Sequence, residues 1–540
     1  MHRPSPAVPT SDDPHPPPRV DPAAPVAITP ATAPATLPSP TPITRADVIL
    51  GLLLAWLALR IYAFSSPAVV NPDGLGYLKQ LPHDYAAGHL LYLPVLRALA
   101  SAFGGDAFKA GLKLSAYAGA LSVALCFGCA RALVPRRPAV LAAAGLLVSY
   151  GAWVQGADVE VYACALAALL VLFAVLVGYR SDPSPWAALA AGCGLATAVL
   201  FHLTHVLAAP LCIAWMIRHA PSRRRGMAHA AVATATGAAL SIAAYGYAAC
   251  HVRHLDLAGA ARCIASAGHG FAYSGTPLQR AADAVYGLAR ALVWSPYLYE
   301  SNAQTLLGQF LLGLLGISLL AAATVTAARA GRLATVPLAP LLLWIATYAA
   351  MALAFFGSDH ERWLFVLPPL WILGCAAIAR TPGRAFTCAA GILLLYATNR
   401  TTAIEPARRD TWARTRADVA SAVLRDGDLV VFPGHSWDEY VGFYTRIRIE
   451  PFPLAYYAGL DGKEGCLARL DAEVRLARAR GGRVFAVRLF DDTDRDTRGF
   501  YELAALGLDR PALAAALARF HQTRIATSEP KITLVRLDDP

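Results

Sequence analysis

Long apolar runs constrain this chain more than any other feature of it. A run of about 18 or more residues with almost no charge matches the hydrocarbon thickness of a bilayer when it is helical. Such runs recur at roughly 48–66, 111–133, 139–156, 160–178, 186–201, 204–218, 228–250, 304–328, 334–356, 362–379 and 384–398, about eleven in all. The pair within 186–218 reads either as two short helices broken near HLTH or as one long tilted helix. Composition agrees: 56% of the residues are hydrophobic and only 15% are charged, where a soluble protein carries roughly a quarter. The sequence therefore predicts a polytopic α-helical membrane protein.

The two ends break this pattern. Residues 1–45 are dominated by Pro, Ala, Ser and Thr, a composition that cannot offset the entropy of ordering, so a disordered cytoplasmic tail is expected there. The tail lacks the basic start and short apolar core of a cleaved signal peptide, and the first span is expected to act as an uncleaved insertion signal. From residue 400 the chain alternates helix-like and strand-like stretches, as in DLVVFPG, IRIEPFP and RVFAVRLF. That alternation predicts a small three-layer α/β domain over 400–540 with a mainly parallel sheet. The turn FPGHSWDEY follows a strand end, where such sheets place ligands; His435, Asp438 and Glu439 read there either as substrate contacts or, the favoured reading, as a structural turn and helix cap. The membrane domain is expected over 46–399.

Charge supplies orientation. The formal charge is +11, yet residues from 400 onward hold 22 basic and 21 acidic side chains. The excess therefore lies in the membrane part and does not point to nucleic acid. With the N-terminus cytoplasmic, alternate connections carry Arg131, Arg136 and Arg137, then Arg180, then Arg218 and Arg223 to Arg225, then Arg329 and Arg332, then Arg380 and Arg384. All fall on the cytoplasmic side, as the positive-inside rule requires. An odd number of spans then puts the segment beyond residue 400 outside the cytoplasm. The cysteines show no CxxC pair, and Cys126, Cys129, Cys164 and Cys193 lie inside apolar runs, so they read as small hydrophobes.

With sidedness fixed, three acidic clusters face one compartment. Asp73 and Asp84 lie in the first outside loop (67–110), Asp158 and Glu160 in the second, and Asp359 and Glu361 in the last short outside loop. Helix ends beside a bilayer usually carry Lys, Arg, Trp or Tyr, so clustered acids on one face call for a function. The same face offers Lys79, Arg253, His254 and Arg362 as partners for an anion; a second large outside loop covers 251–303. On a regular helix Asp158 and Glu160 would point about 200° apart. They would share one cation only if the segment were extended or another acid joined them.

Several stretches together resemble the GT-C membrane glycosyltransferases, particularly bacterial relatives of the protein O-mannosyltransferases. They are Asp73 in NPDGLGY beyond the first span, VQGADVEVYACALAALL at the start of the fourth, and GLATAVLFHLTHVLAAP with His202 and His205. The many spans followed by an external C-terminal domain form a fourth likeness. The resemblance covers about 46–400. It departs from the family in having no acid adjacent to Asp73, and in AAGHLLYLP, which keeps His89 without a double proline.

The resemblance implies a glycosyltransferase of a bacterial inner membrane that uses a sugar on a polyprenyl phosphate. The acceptor is a glycan, lipid or protein on the non-cytoplasmic side. Asp73 is then the candidate general base, since it follows a span directly and sits in a loop. Asp158, Glu160, Tyr162, Asp84, His89, His202, His205 and Asp359 join Glu361 and the cations above as candidate substrate-binding residues. Asp158 and Glu160 order the acceptor, hold a basic group or bind a divalent cation; no metal ligand set is assigned. The competing classes are a lipid or sugar transporter and a non-catalytic scaffold. Apart from Arg60 the spans lack the buried charge and inverted repeats a transporter needs.

Overall fold

The structure is a computed structural model. It describes residues 42–81, 88–293 apart from 253, 257 and 260–275, 337–433 apart from 356, 379–381 and 410, 437–487 apart from 446, and 503–539 apart from 504–505, 526 and 528–533. The expected tail (1–45) thus lies almost wholly outside the described residues, and so does the expected span 304–328.

Helix α1 (Arg45–Phe64) starts on a capping box in which the Thr44 side chain accepts from the Asp47 amide. Two shorter helices follow, α2 (Pro72–Gln80) and α3 (Tyr92–Ala102), before the long α4 (Ala107–Leu133). At the far end of α4 the Asp47 carboxylate takes Arg131 at 3.1 Å and Arg136 at 2.7 Å, tying three elements together. Next come α5 (Arg136–Val148), α6 (Tyr150–Ala157), α7 (Val161–Ser181), α8 (Pro185–Phe201), a 3-10 turn at Leu203–Ala208, α9 (Ala209–His219) and α10 (Arg223–Tyr247). HLTH is therefore a break between two helices. The next group holds the amphipathic α11 (Pro277–Leu292), the apolar α12 (Leu338–Phe355), the single turn α13 (His360–Trp363), α14 (Leu367–Ile378) and α15 (Pro382–Asn399).

Among the described residues four helices are long and apolar enough to cross a membrane, or five if the bent pair α5–α6 is one span. Shorter apolar helices at Pro185–Phe201, Leu338–Ala354 and Ala385–Asn399 coincide with other expected spans. Cys126, Cys129 and Cys164 are buried and free, while Cys193 is exposed.

The bend between α5 and α6 is 60°. A kink frees carbonyls that hydrocarbon cannot satisfy, so the protein must. The Tyr62 hydroxyl donates to the Leu147 carbonyl at 3.3 Å, and Asn399 Nδ2 donates to the Val148 carbonyl at 2.8 Å. Asn399 also reaches the Leu292 carbonyl at the end of α11, at 2.9 Å. The end of α6 lies directly on Tyr62: a Cβ at Gly156 would meet its ring at 2.8 Å. The bent span thereby delivers residues 158–160 to a fixed place.

Beyond α15 lie α16 (Glu405–Arg409), α17 (Trp412–Ser421), β1 (Leu429–Phe432), α18 (Trp437–Thr445), β2 (Glu450–Pro453), α19 (Leu454–Ala479), β3 (Val484–Val487), α20 (Arg510–Leu517), β4 (His521–Ile525) and β5 (Leu534–Asp538). The sheet order is β2-β1-β3-β5-β4. Alternation along β1 splits the core in two: Leu429 and Val431 pack with α19 and α20, while Val430 and Phe432 pack with α17 and α18. The sheet is mixed rather than mainly parallel. β1 runs parallel to β2 and β3, but β5 is antiparallel to both β3 and β4. The connection from β4 to β5 is too short for a parallel crossover of a dozen or more residues, so an antiparallel pair is the available solution.

Candidate active site

The site is built where three turns meet. The first is the start of α2. Asn71 caps it, accepting from the Gly74 amide at 2.6 Å, with Pro72 at the first helical position. The second is the turn 158–160 between α6 and α7. It is extended, with φ/ψ of −113°/175° at Asp158 and −142°/142° at Glu160, so the two acids lean the same way rather than about 200° apart. The third is α13, capped by Asp359, whose carboxylate accepts from the Glu361 amide at 3.1 Å.

Gly74 lets the first two turns close on each other. A Cβ there would sit 2.4 Å from the Val159 carbonyl oxygen and 2.9 Å from the Val70 side chain. Across this contact Asn71 Nδ2 donates to Glu160 Oε1 at 2.6 Å, and the Asn71 amide donates to Asp158 Oδ2 at 3.3 Å. Asp158 also accepts from the Val159 amide at 2.7 Å. From α4, Ser115 Oγ both donates to the Glu160 carbonyl and accepts from its amide, each at 3.2 Å. Gln155 Nε2 donates to Glu361 Oε1 at 3.2 Å.

The result is a cluster of three carboxylates. One oxygen each from Asp73, Glu160 and Glu361 lies within 4.8 Å of the others. Asp73 is exposed at the rim, Glu361 is half-buried and Glu160 is fully buried. Glu160 Oε2 is buried with no hydrogen-bond partner. All three are pushed up from the ordinary carboxylate range. Burial is the main cause for each, followed by like charge: Asp359 acts on Asp73, Glu361 and Asp73 act on Glu160, and Asp359 and Asp73 act on Glu361. Asp158 is raised to about 6 by burial, against the two amides it accepts from. The cation of the site is Arg362, whose Nε lies 3.7 Å from Asp359.

The sequence matches no family model and no curated protein. Solved structures do resemble it. ArnT from Cupriavidus metallidurans in the apo state is 15% identical, covers 91% of this chain and 98% of its own, and superposes with a TM-score of 0.60. The same enzyme bound to undecaprenyl phosphate gives 15%, 91% and 97%, with a TM-score of 0.57. The Archaeoglobus fulgidus oligosaccharyltransferase in complex with Zn and sulfate gives 12%, 91% and 73%, with a TM-score of 0.51.

The chain shares its fold with these structures. Within that frame, the residues singled out by sequence distribute unevenly. Asp73, Glu160 and Glu361 meet. Asp158 and Asp359 stand one step back, holding the Asn71 and Glu361 amides. Tyr162 is buried with its hydroxyl beside Glu361. His89 and His202 form an aromatic seam with it: their rings are 4.7 Å apart, and Tyr162 lies 5.1 Å from His202. His89 Nδ1 meets the Phe201 carbonyl at 3.1 Å. His205 is spoken for, with Nδ1 at 2.7 Å from the Tyr348 hydroxyl and Nε2 at 3.1 Å from the Ala165 carbonyl. Lys79 is exposed in the last turn of α2. His254 has a left-handed backbone, φ 54°. Asp84, Arg253 and His435 lie outside the described residues, as do the side chains of Asp438 and Glu439.

Sequence reading missed Asn71, Gly74, Ser115 and Gln155. For the first two a signal existed: N-P-D-G is a cap, a helix-opening proline, an acid and a residue without a Cβ. Ser115 and Gln155 sit inside apolar helices, where nothing in the local pattern marks them.

Proposed function

We propose that this chain is a membrane glycosyltransferase that moves a sugar from a polyprenyl-phosphate-linked donor to an acceptor hydroxyl or amide on the non-cytoplasmic side of a bacterial inner membrane. The observation that carries the reading is the convergence of Asp73, Glu160 and Glu361 within 4.8 Å, from three turns far apart in sequence. The fold supports it, since one solved structure of this fold holds undecaprenyl phosphate. The membrane domain over 46–399 supplies the chemistry, and residues 400–540 form a domain on the same side.

The acceptor's oxygen or nitrogen attacks the anomeric carbon, the bond from that carbon to the lipid phosphate oxygen breaks, and its electron pair departs on the phosphate. The acceptor's proton goes to Asp73. Its place at the rim gives an incoming acceptor access. Arg362 meets the charge that develops on the phosphate.

The donor set fits a divalent cation. It consists of hard carboxylate oxygens, one of them the buried and unpartnered Glu160 Oε2. Glu160 and Glu361, with the inward oxygen of Asp73, would hold a Mg²⁺- or Mn²⁺-like ion, which supplies positive charge beside the departing phosphate. A solved structure of this fold is a complex with Zn.

The test is transfer in membranes supplied with labelled polyprenyl-phosphate sugars, comparing wild type with Asp73→Asn and Glu160→Gln. Loss of transfer in both is expected. Full transfer in both would sink the site assignment, and no transfer by the wild type from any donor would sink the reading itself.

A further inference from the structure

Residues 68–71, which lead into α2, are gripped by the part of the chain that follows the last span. The Ala68 amide donates to the Ala407 carbonyl at 3.2 Å. Two residues on, the Tyr440 hydroxyl of α18 donates to the Val70 carbonyl at 2.9 Å. Tyr444, one turn further along α18, stacks parallel to Tyr440 at 6.3 Å and has the Val70 backbone as a polar neighbour of its hydroxyl. Phe443 meets Phe108, in the first turn of α4, edge-on at 6.4 Å. Val441 points the other way, into the core between α18 and the sheet. The helix therefore has one face on the sheet and the other on the site.

The Val70–Asn71 peptide is a single planar unit. Its carbonyl is held by Tyr440 and its amide by Asp158. Fixing both ends of one plane fixes the direction in which the chain enters Asn71. Asn71 in turn caps the helix that carries Asp73 and donates to Glu160. We infer that Tyr440 is a positioning residue: by fixing the Val70–Asn71 peptide, the C-terminal segment sets the placement of Asp73 against Glu160 and Glu361. The C-terminal sheet is then a working part of the site. This rests on the glycosyltransferase reading above and names a determinant of that same site.

Full-length enzyme in detergent or nanodiscs distinguishes the two claims. Tyr440→Phe removes one oxygen and keeps the ring, and Tyr440→Phe with Tyr444→Phe removes both hydroxyls at Val70. A displacement of about 1 Å at a catalytic group costs up to roughly a hundredfold in rate. The expected result is a fall in kcat of roughly ten- to a hundredfold. KM for the polyprenyl-phosphate sugar stays within about twofold, and Mn²⁺, titrated alone and read by its spin resonance, binds more weakly. A purely structural role would lower the melting temperature and the yield while leaving kcat per folded molecule and Mn²⁺ affinity unchanged; that outcome overturns the inference. Wild-type transfer that is abolished in Asp73→Asn but undiminished in Tyr440→Phe also overturns it, with the function intact. Transfer that survives Asp73→Asn overturns the role given to Asp73, and no transfer by the wild type from any donor overturns the function instead.

Discussion

Glu160 and Glu361 are held in a condition that water would relieve: close carboxylates, one of them fully buried. A divalent cation is the natural complement to that geometry. Saturating Mn²⁺ should therefore raise the melting temperature of the wild type; an excess of about a hundredfold over Kd is worth about 2.7 kcal/mol. Glu160→Gln should lose the increment, and an identical rise in that variant would show that the ion binds elsewhere. The surrounding groups give a pH signature as well. Burial holds His89 at about 4 against an ordinary 6.5. Between those values the unfolded chain binds a proton that the folded chain does not, so stability falls as pH falls. Asp158 is raised from 3.8 to about 6, so there the folded chain binds the extra proton and stability falls as pH rises. Each is worth on the order of 3 kcal/mol across its window. His89→Gln should flatten the acid side of a stability profile, and Asp158→Asn should flatten the opposite slope between about pH 4 and pH 6. Profiles that stay parallel to the wild type would refute both assignments. At this scale the acids were legible in the sequence because the positive-inside rule put them on one face. Which of them meet was not legible. Asp359 is drawn off to cap α13 and Asp158 to hold Asn71, and both roles depend on backbone geometry that residue type does not report.

Two elements do most of the placing. The turn 158–160 is extended where periodicity suggests the start of a helix, because the preceding span is broken and α6 ends against Tyr62. Gly74 is the contact that closes the turn on α2. Gly74→Ala should push the Val159 carbonyl away, at a cost of about 1–3 kcal/mol, and lower transfer more than it lowers stability; an active, equally stable variant would contradict the close approach. The kink itself depends on Asn399, which satisfies carbonyls from two helices. Asn399→Leu leaves both without that donor and should cost about 1–3 kcal/mol in detergent unfolding. The apolar runs announced the helices, and α/β alternation announced the strands. The kink was not visible, since it rests on a partner more than 40 residues away, Asn399 for Val148; the antiparallel β5 did have a local signal, the short β4–β5 connection.

For the molecule as a whole, sidedness follows from contact as well as from charge. Tyr440 touches Val70, and no bilayer can lie between bonded groups, so α18 and the start of α2 share one compartment. The opposite end of the bundle carries the Asp47 pairs with Arg131 and Arg136, next to the basic connection that the positive-inside rule assigns to the cytoplasm. The two ends are linked by α4, whose 27 residues span about 40 Å at 1.5 Å each, enough to separate the acidic site from the basic connection by the full hydrocarbon thickness. Single cysteines at exposed positions test this in intact spheroplasts with a membrane-impermeant maleimide, read against the background of the native thiols. Lys109→Cys at the start of α4 and Arg475→Cys on α19 should both label without lysis. Arg137→Cys, at the start of α5, should label only after permeabilisation. Labelling of the first two on opposite sides would break the contact between α18 and α2, and with it the claim that the C-terminal sheet helps to build the site. Labelling of all three from one side would instead deny that α4 crosses the membrane.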